Sequence, residues 1–344
     1  SPIFYFLKAK FLMISNKEIF SLTYLLLSSL IPLFFYKTLK KKFINSENKN
    51  ILFAISLLIF LSPYFRSSAV WATSDNLALL FVTISLYFFI SSFSKLKKKS
   101  YYYFISILFL IIASYIRQNY SLLFIFYIIK SFEILERKTI IYIILISLLL
   151  SFPALLYVKK IYELGFNLSI IRPDYLSNSI IYLSIISFYL LPFFWSEKNK
   201  NKYKNLILNR KKILLFFSLI VISIFFYSDI EGFGFRGGGV ILKLSKIIGF
   251  NFLLLIFAIL GILLINYYYE NLSGLLTIIL LFLSYPFSTL YQKYFDPTLI
   301  LFFLILSGSK ILQDNLEKNQ FNIKILYFYF GAFLFAANYY YLNN

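Results

Sequence analysis

The reading of the whole chain turns on Ser62-Pro63-Tyr64-Phe65-Arg66-Ser67-Ser68-Ala69-Val70-Trp71-Ala72-Thr73-Ser74-Asp75-Asn76, a polar turn between the apolar runs 51–61 and 77–90. Most other boundaries between apolar runs carry lysines or low-complexity Asn and Ser. This one carries an arginine, a tryptophan, an aspartate and a row of small hydroxyl residues. A charged pair inside so apolar a chain is costly to place and marks function by default. The stretch therefore reads as the mouth of a site at a membrane surface.

Working outward, the same apolar pattern repeats from end to end. The chain has 344 residues, 60% hydrophobic and 14% charged, with mean hydropathy +0.78. A soluble domain of this size carries about 25% charged residues. The expectation is an all-α, polytopic transmembrane helix bundle, a single domain over 1–344. Roughly twelve apolar segments can be drawn, near 19–36, 51–65, 76–94, 101–116, 120–132, 139–158, 178–195, 213–228, 248–268, 275–290, 297–309 and 323–341. Several fall short of the ~20 residues that span a bilayer. The pair 101–116 and 120–132 reads equally as one bent or re-entrant element.

The formal charge of +20 comes from basic residues in the connections. Alternate connections hold 22 Lys and Arg, against 9 in the opposite set. That asymmetry puts the richer set in the cytoplasm and argues for anionic lipid rather than nucleic acid as the partner. Asp75, Asp174, Asp229 and Asp296 then face the non-cytoplasmic side, and only Asp314 does not. The triplets 101–103, 267–269 and 339–341, all tyrosine, fall at span ends like an aromatic belt. With no Cys and no His, thiolate nucleophiles, disulfides, Cys/His metal sites and a histidine base are excluded, so acid–base work falls to Asp, Glu, Lys or Tyr.

Four constellations carry chemistry. Arg66 offers forked donors to a phosphate, Trp71 an aromatic face, and Asp75 a hydrogen-bond acceptor or base; the plainer reading is that Ser74 or Asp75 caps the next helix and Trp71 anchors at the interface. Arg117-Gln118-Asn119-Tyr120 breaks an apolar stretch, with Arg117 as a phosphate ligand and the next three as sugar or acceptor contacts. The plainer alternative is a tight turn with Arg117 snorkelling to headgroups. Tyr291-Gln292-Lys293-Tyr294-Phe295-Asp296-Pro297 combines a cation, a carboxylate and aromatic faces; Asp296 before Pro297 also reads as an ordinary helix start. Gly232-Phe233-Gly234-Phe235-Arg236-Gly237-Gly238-Gly239 lacks the strand–helix context of a dinucleotide loop and reads as an outward loop whose Arg236 can reach a phosphate. Arg172-Pro173-Asp174-Tyr175 reads as a turn.

The order of these features resembles the GT-C superfamily of polytopic glycosyltransferases, and within it the dolichyl-phosphate-glucose α-1,2-glucosyltransferase family. Ser1-Pro2-Ile3-Phe4-Tyr5-Phe6 is similar to that family's Thr-Pro-Pro-Gly-Leu-Tyr-like span start. Trp71-Ala72-Thr73-Ser74-Asp75 is similar to its Tyr-Tyr-Thr-Asp-like turn, and Ile116-Arg117-Gln118-Asn119-Tyr120 to its Phe-Arg-Gln-Thr-Asn-Ile-like segment. The resemblance implies a polyprenyl-phosphate-linked sugar as donor, a glycan or lipid-linked acceptor, and no cofactor. It also implies a site on the non-cytoplasmic face of a bacterial inner membrane or the endoplasmic reticulum.

Superfamily members keep their general base in the first outward loop. By the resemblance that loop and the first span lie upstream of Ser1, so the expectation is an N-terminally truncated chain, with Asp75 the remaining catalytic candidate. Arg66 and Arg117 are assigned to the donor phosphate, with Lys293 and Arg236 in reserve. Trp71, Gln118, Asn119, Tyr120, Tyr294 and Asp296 are assigned to sugar or acceptor, and a cation cluster takes the place of a metal. The competing classes are a transporter or flippase of lipid-linked sugars, which would line a polar path through the bilayer midplane, and a non-catalytic membrane assembly subunit.

Overall fold

A computed structural model describes residues 2–14, 16–44, 49–93, 98–163, 175–198, 202, 237–250, 252–285 and 290–343. Arg236, the turn 172–174, Asp229 and the apolar segment 213–228 lie outside the described residues. What is described is helical, without a strand, as expected of an all-α membrane bundle. The chain divides into two compact units, 1–44 with 52–168 and 45–51 with 169–344.

The first unit contains α1 (Pro2–Ile14), α2 (Lys17–Lys42), α3 (Lys49–Leu57, which begins in the other unit), α4 (Pro63–Trp71), α5 (Ser74–Ser92), α6 (Lys99–Ile116), α7 (Leu123–Ile134) and α8 (Arg137–Glu163). Its centre is α5, packed between α2 and α6. Buried hydroxyls join these apolar helices. Ser85 Oγ donates to the Ser106 carbonyl at 2.7 Å and lies 3.0 Å from the Tyr127 hydroxyl, while the Tyr103 hydroxyl donates to the Tyr127 carbonyl. Interhelical hydrogen bonds of this kind hold helices together where lipid gives no hydrophobic drive.

The polar stretch expected to be a turn is largely the helix α4. Ser62 Oγ accepts the Phe65 N–H at 2.9 Å, and Pro63 occupies the first helical position, where its missing N–H costs nothing. The α4 helix ends at Ala72, in the left-handed region at φ 48°. It leaves the axis of 49–61 at 66°, so the two form a broken span or a re-entrant element.

The second unit contains α9 (Tyr175–Ser196), α10 (Gly239–Ile248), α11 (Phe252–Tyr268), α12 (Leu272–Leu283), α13 (Thr298–Leu306), α14 (Lys310–Glu317) and α15 (Ile323–Asn343). Its principal packing is α9 on α11, where small Gly261 admits the neighbouring backbone; a Cβ there would lie 2.2 Å from the Leu183 carbonyl oxygen. The α14 helix turns 91° from α13.

Among the described residues, five helices are long and apolar enough to cross a membrane, or up to seven if each bent pair is one span. Several expected segments are shorter than drawn. Segment 120–132 is a 3-10 turn (Gln118–Leu122) followed by the 12-residue α7, and the described part of 275–290 belongs to the 12-residue α12 and the two residues after it, with 290. The 21-residue α15 is not among the five, because Lys324, Asn338 and its tyrosines dilute its apolarity. The chain is an integral membrane protein by the number and length of these helices.

Candidate functional site

In the first unit, the α4–α5 junction meets the C-terminal end of α6. Arg117 caps α6 in extended conformation, its N–H donating to the Ala113 carbonyl at 2.8 Å. Its guanidinium forms an ion pair with Asp75 Oδ1, in the first turn of α5. The Arg117 side chain is 29% exposed and that of Asp75 43%, so the pair sits at the unit's surface.

A chain of hydroxyls holds the other oxygen of Asp75. Thr73 Oγ1 donates to Asp75 Oδ2 at 3.0 Å, which uses its single proton. Ser68 Oγ, 2.5 Å from Thr73 Oγ1, is therefore the donor in that contact, and it accepts the Asn76 N–H at 3.3 Å. The relay runs from the α5 backbone through Ser68 and Thr73 to the carboxylate. Thr73, rather than Ser74 or Asp75, is the N-cap residue of α5, and its side chain makes no cap hydrogen bond.

Beneath the pair lies a buried anchor. Asn76 Nδ2 donates to Ser28 Oγ at 3.1 Å and to the Phe65 carbonyl at 3.0 Å, joining α5 to α2 and α4. The Tyr24 hydroxyl accepts the Leu77 N–H at 3.0 Å and donates to the Thr73 carbonyl. Arg117 is also within electrostatic reach of Tyr24. Sequence reasoning singles out neither Tyr24 nor Asn76 as a site residue. Tyr24 lies unmarked in an apolar run, while Asn76 closes the polar stretch and reads as its edge.

The other expected residues of this unit divide by exposure. Arg66 is exposed on α4, and among the described residues no ion pair or hydrogen bond joins its side chain to Asp75 or Arg117. Trp71 is 72% exposed, Gln118 is exposed and Asn119 is half-buried. Tyr120 is 7% exposed and part of the core.

Lys293, Tyr294 and Asp296 belong to the second unit. Exposed Lys293 lies over the Tyr291 and Tyr294 rings, 5.1 and 5.6 Å from their centroids. Tyr294 stacks on Tyr285 at 4.7 Å, and the Tyr285 hydroxyl donates to the Tyr294 carbonyl. Asp296 is buried and precedes a cis peptide bond to Pro297. The cap of α13 is Pro297, so the Asp-Pro helix start does not form. Gln292 is the structural tie of this segment. Its Oε1 accepts the Val240 N–H at 2.7 Å and its Nε2 donates to the Tyr189 hydroxyl at 3.2 Å.

A second cluster escapes sequence reasoning. Glu197, just past α9 and 4% exposed, accepts hydrogen bonds from the Tyr267 hydroxyl at 2.7 Å and the Tyr268 hydroxyl at 2.5 Å. The triplet 267–269 is thus buried and is not an aromatic belt. Burial pushes the Glu197 carboxyl above its ordinary value, against the opposing pull of Tyr268, Tyr267, Lys202 and Asn315. Lys202 Nζ donates to the carbonyls of Phe194 and Glu197 at 2.8 and 2.9 Å, closing the C-terminal end of α9. Among the described residues, no three His, Cys, Asp or Glu gather as a metal site.

The fold and these clusters define a polytopic α-helical membrane protein with a surface ion pair buttressed by a buried hydroxyl and amide network. No known protein family matches the chain, and neither does any curated protein or any solved structure.

Proposed function

We propose that the chain is a membrane glycosyltransferase that moves a sugar from a polyprenyl-phosphate donor to an acceptor hydroxyl on the non-cytoplasmic face, with inversion and without a metal. The observation that carries the reading is the Asp75–Arg117 ion pair, which brings together the two residues singled out as base candidate and phosphate ligand. In such a transfer, the acceptor oxygen attacks the anomeric carbon as its proton passes to a carboxylate. The bond from that carbon to the phosphate oxygen breaks, and the phosphate leaves with the electron pair.

Arg117 supplies a forked cation for that leaving charge, and Asp75 supplies the carboxylate. Arg66, exposed on α4, adds positive charge near the same helix junction. Trp71, Gln118 and Asn119 offer an aromatic face and amides to sugar hydroxyls. Tyr120 is withdrawn from that role by its burial. Lys293, Tyr294 and Asp296 sit in the other unit and are not needed by the reading.

The test is transfer by full-length protein in membranes. Arg117→Ala lowers turnover at least about tenfold, equivalent to ~1.4 kcal/mol of barrier, while membrane insertion stays intact. Arg117→Lys fails to restore it, because an ammonium cannot grip phosphate through two parallel bonds. Unchanged transfer by Arg117→Ala removes the phosphate assignment.

A further inference from the structure

A different feature, independent of the transferase reading, lies in the second unit. Where α14 ends and the chain doubles back toward α15, a groove of about 600 Å³ opens between Lys198, Asp314, Asn315, Lys318, Asn319 and Gln320. Its volume is in the range of small-molecule sites, ~300–1,000 Å³.

The groove is firmly built. Lys198 N–H donates to the Gln320 carbonyl at 2.9 Å and Asn322 N–H to the Ser196 carbonyl at 2.8 Å, an antiparallel bridge between the end of α9 and the start of α15. Two carbonyls in the last turn of α14 are occupied: that of Asp314 accepts the Lys318 N–H at 2.9 Å, and that of Asn315 the Gln320 N–H at 2.8 Å. The Glu197 side chain, next to Lys198 in the chain, is held by the hydroxyls of Tyr267 and Tyr268.

Its donors are available. Lys198 and Lys318 are exposed, and among the described residues neither ammonium forms an ion pair. Asn315 is 2% exposed and its amide acts on Glu197, so it serves as floor and not as a ligand donor. Two cations against the single carboxylate of Asp314 select an anion. The space exceeds what inorganic phosphate fills, and the half-buried amides of Asn319 and Gln320 suit hydroxyl groups. The groove lies beside α14, which turns 91° from the apolar α13. The Lys and Arg bias of the sequence puts this connection in the cytoplasmic set.

We infer that this groove binds a phosphorylated polyol, its phosphate held between Lys198 and Lys318 and its hydroxyls by the amides. Two sources share that chemistry, the headgroup of an anionic phospholipid and a free sugar phosphate.

The full chain is reconstituted in phosphatidylcholine nanodiscs, with or without phosphatidylglycerol. Retained lipid is read by native mass spectrometry, and glucose 6-phosphate against glucose by calorimetry in the lipid-neutral discs. Preferential retention of phosphatidylglycerol assigns the headgroup, and binding of glucose 6-phosphate but not glucose assigns the soluble ligand. In either arm, Lys198→Gln with Lys318→Gln weakens binding at least about tenfold. Lys318→Glu, an exposed reversal that leaves the core untouched, does the same. Lys310→Gln, on the same helix outside the groove, leaves binding unchanged. Binding in neither arm, equal binding of glucose, or indifference to both groove variants overturns the inference.

Discussion

The Tyr24 hydroxyl accepts the backbone N–H of Leu77 at 3.0 Å, so a side chain of α2 satisfies one of the free donors at the start of α5. The same hydroxyl donates to the Thr73 carbonyl. One buried phenol therefore sets the position of the segment that carries Asp75.

Removing that oxygen tests its positioning role. Tyr24→Phe preserves the ring and leaves the Leu77 N–H and Thr73 carbonyl without this partner, at a cost of ~1–3 kcal/mol. The expected outcome is a lower midpoint of thermal unfolding and faster amide exchange at Leu77. If Asp75 and Arg117 act as proposed, turnover falls while donor KM changes little, because the phosphate ligand is untouched. Thermal and exchange behaviour identical to the parent would contradict the hydrogen bonds described.

Gly261 offers a packing test in the other unit. A methyl group there would lie 2.2 Å from the Leu183 carbonyl oxygen, well inside contact distance. Backbone cannot yield as a side-chain tip can, so Gly261→Ala must separate α9 from α11. The cost expected is ~1–3 kcal/mol of overpacking, read as a lower unfolding midpoint in detergent. Gly331→Ala, where an added Cβ meets nothing within 4 Å, is the matched control and is expected to be neutral or slightly stabilising.

Glu197 gives a pH test with a definite sign. Its carboxyl is raised above the ordinary value of 4.5, principally by burial, with Tyr268, Tyr267, Lys202 and Asn315 opposing. The unfolded chain therefore loses this proton first as pH rises. The stability contributed by the neutral acid is full below 4.5 and declines as pH climbs through the raised folded value. Glu197→Gln removes that titration, and its unfolding midpoint should fall less than the parent's between pH 4.5 and neutrality. A parent and variant with parallel pH profiles would show that this carboxyl does not titrate differently on folding.

Much of the architecture is legible in the residues because membrane helices announce themselves by uninterrupted apolarity. The 26-residue α2 and 19-residue α5 follow directly from their runs. What fails is local. Ser62-Pro63 carries the signature of a helix start, an N-cap hydroxyl followed by proline, yet the surrounding serines and the arginine give the stretch the look of a turn. Tyr267 and Tyr268 look like membrane anchors because periodicity cannot distinguish a ring facing lipid from one facing a buried carboxylate. Their partner, Glu197, is lost among the neighbouring lysines of its connection.

The site shows the same division. Asp75 and Arg117 are conspicuous as charges beside long apolar runs. Their pairing depends on how α5 and α6 pack, which no local pattern encodes. Tyr24 and Ser28 are invisible for the opposite reason, being ordinary residues within a long apolar helix. Their role arises only when α2 is laid against α5.

The two oxygens of Asp75 are held from different sides, one by the guanidinium of Arg117 and the other by Thr73. A carboxylate clamped in this way cannot spin to suit whatever approaches it. It holds its two oxygens in one orientation, so the negative charge at this surface has a direction as well as a position.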